Sequence, residues 1–451
     1  MTEGITSKIA DFIEGFSLEG LEYELEEQVK KNFLDYLCVT ITGSNTPVSK
    51  KLFSYINSSF TEQKATVLGY NKLTDLKNAA FINGTSAHAL DFDDGHTKGS
   101  VHVGSVVFPA VLAVAEKNKN TSREILRSIV IGYEVTIKLA SMVHPYSRGY
   151  GYHNTSIAGT FGAVAAISSL LKFNKEQIIN ALGIALSFTG GTFAFLHSGS
   201  DIKRLHPGIA SSNGIVAIEL SKYGISGPEK ILERKFGFLD IFSNKQVNKQ
   251  EVEELFNDSL EIFNVYIKAY PCCRQLDSSI NAARKIRNKA LKISLNEIKR
   301  IEVRTHYLAA EHNQKECNSL LDAQMSIPYA IAISLIDDVI TTKSFDISRP
   351  QNKLIDDVKN KVEVYKEREF EKLYPPIRKS EVTIYTNDNE IFTAISDIPK
   401  GEPSNELSYE TVCQKFKDNC KRFLSVSDAQ EVIENVSNLN FLKAIDFKMR
   451  V

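Results

Sequence analysis

Histidine is the side chain whose ordinary titration falls closest to neutral pH, so a concentration of histidines is the first place to look for proton chemistry. Seven of the nine histidines lie between positions 88 and 206: His88, His96, His102, His144, His153, His197 and His206. Carboxylates accompany them. The stretch HALDFDDGHTKGSVHVGS, His88 to Ser105, sets Asp91, Asp93, Asp94, His96 and His102 within twelve residues. A carboxylate beside an imidazole fixes the ring's tautomer and raises its basicity, the usual make-up of an acid–base pair. The same residue types also hold divalent cations, so a metal-dependent hydrolase using Asp91, Asp93, Asp94 and His96 is the rival chemistry. A solvated loop with Asp94 as a helix cap is the plain structural alternative.

Three further segments carry groups suited to an anionic ligand. GYGYHNTSIAG, Gly149 to Gly159, puts Tyr152 and His153 ahead of a buried helix, with Asn154 or Thr155 as the expected N-cap. A helix N-terminus favours anions, so His153 is placed to meet a carboxylate or phosphate. HSGSDIKRLHPGIASSNG, His197 to Gly214, brings Lys203, Arg204 and His206 just before an expected helix start at Gly208, a cradle for negative charge or else a solvated basic turn. KAYPCCRQLDSSI, Lys268 to Ile280, offers Cys273 as a weaker candidate nucleophile and Arg274 as a bidentate carboxylate clamp. An inert buried cysteine is the alternative at Cys273.

The elements that must position these groups are mostly helices. Leu21, Leu25, Val29, Phe33 and Leu37 recur every fourth residue between Leu21 and Thr42. Ala79–Leu90, Ser105–Asn118 (with Pro109 expected in its first turn) and Ser122–Met142 also read as helices. Ile157–Lys172 and Ile178–Ser187 are apolar on nearly every face, which predicts helices buried all round. Gly208–Tyr223 follows, with Gly224 as its C-cap. Near Phe263 the texture changes. Ile298–His306, Val382–Thr386 and Ile391–Ile395 alternate like half-buried strands, the last two forming a hairpin, and Ala323–Ile336 is an apolar helix between them. Helical period returns from Ser408 to Val451. The expected fold is mainly α: a large all-helical domain (1–265 and 401–451) with an inserted smaller α+β lid domain (266–400).

Composition removes several function classes. With 451 residues, the chain can bury large cores without disulfide staples. Lys+Arg 54 against Asp+Glu 55 gives a net charge of −1, without the basic excess of a general nucleic-acid binder. Six scattered cysteines without a CxxC pair point to a reducing, cytoplasmic setting. The N-terminus lacks a signal-peptide core, and Ala158–Leu171 is too short and too polar to span a membrane. There is no GxxxxGK[ST], HExxH or GxSxG, and no dinucleotide fingerprint in a strand–helix context, which removes support for phosphoryl transfer, zinc proteolysis, ordinary serine hydrolysis and nicotinamide redox chemistry.

The motifs HALDFDDGH, GSVVFPAVLA, GYHNTSIAGTFGA, KRLHPG, YPCCR and AQMSIPYAIA occur in this order along nearly the whole chain. Together they resemble the MmgE/PrpD family, which includes 2-methylcitrate dehydratases, cis-aconitate decarboxylases and iminodisuccinate epimerases. The resemblance implies a homodimer working without metal or organic cofactor on a small carboxylate substrate. It implies Asp91 and His102 as the acid–base loop, with Asp91 orienting His102, and His153 and Lys203 as further catalytic groups. Tyr152, Arg204, His206, Cys273 and Arg274 are the expected substrate contacts. Gly95, Val103, Asn154 and Ile209 depart from residues common in that family. All the family reactions form or quench a carbanion beside a carboxylate. The expectation is therefore a cofactor-free lyase of small di- or tricarboxylates. Dehydration of the 2-methylcitrate or citrate type is set ahead of decarboxylation or epimerisation, and a non-catalytic carboxylate-binding protein is the alternative of another class.

Overall fold

The computed structural model describes residues 4–450 except 59–61, 198–199, 244–248, 257–258, 290–293, 350–351 and 375. The chain divides into two compact units, one made of Met1–Ile267 with Ser408–Val451, the other of Lys268–Leu407.

The first unit is built on helices whose sequences forbid exposure. Asn154–Leu170 (NTSIAGTFGAVAAISSL) presents small and apolar residues on every side, and all its residues are buried. It packs against Ser122–Val143, Gly104–Asn118 and Ile202–Lys222. Ser122–Val143 starts with a capping box in which Thr121 and Glu124 each satisfy the other's backbone N–H. Glu22–Gly43 buries Leu25, Val29, Phe33 and Leu37, the four-residue stripe, while Leu21 at its N-cap stays exposed. The segment after Ser408 returns as Tyr409–Cys420, Val426–Ser437 and Phe441–Ala444, the first packed on Glu22–Gly43. Among the described residues no helix is long and apolar enough to cross a membrane.

Three helix starts beside proline or histidine differ from the sequence reading. Pro109 lies inside Gly104–Asn118 rather than in its first turn. The helix expected from Gly208 begins at Ile202, so Lys203, Arg204 and His206 sit within its first turns and Pro207 is internal. Proline is tolerated best at a helix start, which is why the sequence suggests one there. Here the interior position costs the ladder one N–H while packing holds the helix through it. The N-cap of Asn154–Leu170 is His153, without a side-chain cap bond, and not Asn154 or Thr155.

The second unit has a four-stranded sheet in the order Val362–Lys366, Ile298–Thr305, Ser380–Thr386, Ile391–Ser396. The first pair is parallel and the others antiparallel. Ile301, Val303, Val382 and Ile384 enter a core shared with the helices Asp277–Lys289 and Ile327–Ile336. The expected helix Ala323–Ile336 is two pieces, because Ser326 caps a new start with Pro328 in its first turn.

One crossing in the first unit decides where the chemistry stands. Helix Leu76–His88 meets Ile202–Lys222 through Gly84 and Gly208. A Cβ on Gly208 would fall on the Phe81 carbonyl oxygen and lie 2.9 Å from the Thr85 nitrogen; one on Gly84 would lie 2.8 Å from Gly208 Cα. The contact brings the helix ending in His88 against the helix that carries Lys203. Gly208→Ala is expected to destabilise the protein by about 1–3 kcal/mol, the usual cost of overpacking. Urea unfolding would check this, and an unchanged midpoint would show that the helices can separate freely.

Candidate active site

The helix Leu76–His88 ends where the chemistry begins. Asp91, Asp93, Asp94 and His96 are all buried, so the solvated-loop alternative does not hold. Asp91 takes a left-handed backbone conformation (φ 51°), which costs a non-glycine residue roughly 1–2 kcal/mol. Its Oδ2 lies 2.8 Å from Lys203 Nζ. The sequence leads one to expect Asp91 beside His102; its carboxylate pairs with Lys203.

His102 is oriented by its neighbours further along the loop. Its Nδ1 is 2.8 Å from the Asp94 carbonyl oxygen and 3.4 Å from Asp93 Oδ2. A carbonyl only accepts, so Nδ1 carries the hydrogen and Nε2 of the neutral ring keeps its lone pair. The His102 backbone N–H donates to Thr155 Oγ1 at 3.1 Å, tying the loop to the buried helix. Asp93 also holds His88, whose fully buried Nδ1 lies 2.9 and 3.0 Å from its two oxygens. His88 Nε2 is buried without a hydrogen-bond partner among the described residues. The His88 and His102 ring centroids are 4.7 Å apart.

The Asp94 carboxylate has partners of its own. It accepts hydrogen bonds from Tyr133 Oη at 2.6 Å and from Gly104 N at 2.8 Å, so it does anchor a helix start, from within the interior. Burial pushes its carboxyl up to about 7, against the opposing pull of those two donors. His96 accepts from Gly99 N at 3.1 Å through Nδ1, and its Nε2 is 3.3 Å from Glu261. Gly95 pairs with Tyr266, and a Cβ there would lie 2.6 Å from Tyr266 Cζ, so packing accounts for glycine at this position. The rival metal set of Asp91, Asp93, Asp94 and His96 is thus split among different partners. The grouping with metal-ligand character among the described residues is His88, Asp93 and His102, whose ligand atoms lie within 4.8 Å of one another; their shared hydrogen bonding through Asp93 explains it.

His153 stands at the centre of the remaining groups. Its Nδ1 is 2.9 Å from His206 Nδ1, so one ring donates and the other accepts. Burial holds the His153 imidazole well below the usual range, and the neighbouring His206, His88, His102 and Lys203 lower it further. Burial also pushes His206 down to about 4, with help from His88 and Lys203. Arg204 is buried and its Nη1 lies 3.5 Å from the His88 carbonyl. The Tyr152 ring packs edge-on against Phe242, with centroids 4.8 Å apart. A cavity of about 510 Å³, within the range of small-molecule sites, is lined by Ser156, Thr189, Thr192, Phe195, His206 and Ile209 among others.

Cys273 and Arg274 belong to the second unit. Cys273 Sγ is 3.8 Å from His312 Nε2, a thiol–imidazole contact that sequence order does not suggest. The buried Arg274 guanidinium pairs with Asp277, with Glu402 at 2.8 Å and with the Lys400 carbonyl at 3.2 Å. These partners within the unit hold the guanidinium of Arg274, the expected carboxylate clamp, in place. The first unit therefore brings together Asp91, His102, His153, Lys203, Arg204 and His206, and it adds His88, Asp93, Thr155 and Tyr133. His88 and Asp93 are visible in the sequence as residue types; their spacing across a helix end gives no sign that they pair.

Residues 7–251 match the model for the MmgE/PrpD N-terminal domain and residues 270–440 that for the MmgE/PrpD C-terminal domain. The chain belongs to the MmgE/PrpD family. It is 26% identical over 463 residues to cis-aconitate decarboxylase of Homo sapiens, covering 98% of this chain and 93% of that protein. It is 24% identical over 469 residues to cis-aconitate decarboxylase of Aspergillus terreus, covering 98% and 94%. It is 20% identical over 448 residues to 2-methylcitrate dehydratase of Salmonella typhimurium, covering 92% and 91%. Both names denote lyases.

The depressed histidines of this MmgE/PrpD chain have a stability consequence. His206 protonates near 6.5 when unfolded and near 4 when folded, so its contribution is present above pH 6.5 and is lost as pH falls toward 4. His206→Asn keeps a donor beside His153 and is expected to lose less stability across that window than the parent, by up to about 3 kcal/mol. Urea midpoints at pH 7 and pH 4 for both proteins check this; parallel losses would contradict a neutral buried His206.

Proposed function

We propose that this MmgE/PrpD protein is a lyase, working without a bound cofactor, that forms a carbanion next to a carboxylate of a small di- or tricarboxylic acid. The observation that carries the reading is the gathering of imidazoles beside a fixed cation: the His88 ring stands 4.7 Å from that of His102 and 6.1 Å from that of His153, His153 meets His206 at 2.9 Å, and Lys203 is held by Asp91 at 2.8 Å. A proton carrier and a fixed cation around one point are what carbanion chemistry requires.

Decarboxylation of a cis-aconitate-like acid is the reading we favour. The sequence alone sets dehydration first. What supports decarboxylation is the greater similarity to cis-aconitate decarboxylases, at 24–26% identity over 98% of the chain, than to 2-methylcitrate dehydratases, at 20–21% over 92%. The bond to the departing carboxylate breaks, carbon dioxide leaves, and the electron pair stays on carbon, delocalised into a neighbouring carboxylate. Lys203 meets the growing negative charge with donors not spent on Asp91. An anionic substrate favours the protonated form of His102, whose Nε2–H then quenches the carbanion; Asp93 steadies the cationic ring. Dehydration by the same groups is the second reading, favoured by the lone pair on neutral His102, which suits it to remove a proton from carbon. His153 or Tyr152 would then protonate the departing hydroxyl.

Turnover of cis-aconitate, citrate and 2-methylcitrate, with the product identified by NMR and released carbon dioxide measured, tests the assignment. Carbon dioxide from cis-aconitate is expected. Lys203→Met should lower kcat/KM by about 10²-fold or more while leaving the circular dichroism spectrum intact. A Lys203→Met enzyme as active as the parent would sink the charge-stabilising role.

A further inference from the structure

We propose that Lys415, far along the chain in the C-terminal segment, is a positioning residue for the acid–base loop and acts through Phe92. The inference rests on the lyase reading for its catalytic consequence.

Lys415 lies buried in helix Tyr409–Cys420. Its ammonium is 2.5 Å from Asp35 Oδ1 on helix Glu22–Gly43, 3.4 Å from the Phe92 carbonyl oxygen, and 3.5 Å from the centroid of the Phe92 ring. Phe92 is itself fully buried. It stands between Asp91, which holds Lys203, and Asp93, which holds His88 and His102. One cation thus grips both the backbone and the ring of the residue that separates the two carboxylates. A rotation about Phe92 would move both at once.

The energetics favour a positional role. Lysine is almost never fully buried unless paired, and a buried ion pair can often be replaced by apolar residues without loss of stability. An ammonium kept here at that cost does something an aliphatic side chain could not. It accepts no hydrogen bond, donates to a chosen carbonyl, and attracts the face of an aromatic ring. The same Asp35 acts electrostatically on Asp94 and its partner Tyr133, so beside the grip on Phe92 the pair also reaches the Asp94 end of the stretch. The left-handed Asp91 backbone needs such an external hold, because its conformation is disfavoured on its own.

The test removes both charges together, Lys415→Met with Asp35→Asn, so that no lone ion is left buried. Two readouts are taken: imidazole ¹⁵N spectra of the resting protein, and steady-state kinetics on the preferred carboxylate. The double variant is expected to melt close to the parent, to lose the parental Nδ1–H tautomer pattern of His88 and His102, and to show kcat reduced at least tenfold. Lys415→Arg, which keeps a cation against Asp35 and Phe92, should retain the spectra and remain within about threefold in kcat. If the double variant does not fold, Phe92→Leu, which keeps an apolar side chain but removes the ring face, is expected to give the same spectral change. Parental imidazole spectra in either folded variant would overturn the proposal and leave Lys415 as the neutraliser of Asp35. The spectra need no substrate, so they decide the positioning role even where the lyase reading itself fails.

Discussion

Three carboxylates within four residues are buried at the end of one helix, and the rest of the first unit is arranged around that fact. A buried carboxylate is costly unless it is paired or protonated. Asp91 receives Lys203, Asp93 receives His88 and His102, and Asp94 receives Tyr133 and the Gly104 N–H, with its own proton affinity raised. Each solution has a different chemical result. The first fixes a cation, the second fixes two imidazoles, and the third fixes the loop.

Those partners come from four helices and from the loop itself, which is why the frame has to be close-packed and rigid. Lys203 reaches Asp91 because Gly84 and Gly208 let two helices touch along their backbones. Thr155 reaches the His102 backbone because the helix behind it is buried on all sides. Tyr133 reaches Asp94 from Ser122–Val143, whose start is set by a capping box. A displacement of an ångström in any of these helices would leave a charge without its partner. The positional demand of the chemistry and the electrostatic demand of burial are met by the same contacts.

Much of this is legible in the residues. The helical stripe from Leu25 to Leu37, the all-round burial of Asn154–Leu170 and the hairpin of Ser380–Thr386 with Ile391–Ser396 follow from period alone. So does the concentration of acids and histidines between His88 and His206. Pairing is not legible. Asp91 and Asp93 are two residues apart and look interchangeable, yet one serves a lysine 112 positions away and the other a histidine five positions before it. Which partner each finds depends on helix crossings that no local pattern encodes. Pro207 misleads for a related reason: a proline signals a helix start only where packing does not carry the helix through it.

If this cluster moves a proton to or from a carbon beside a carboxylate, the hydrogen it delivers must come from solvent. Proton NMR in deuterated water, with the purified protein and cis-aconitate, reads that transfer directly. Deuterium is expected on a carbon next to a surviving carboxylate, with incorporation abolished in His102→Gln. Tight binding of the acid by thermal shift, with no carbon-bound deuterium and no product, would contradict proton transfer and leave a protein that holds carboxylates without transforming them.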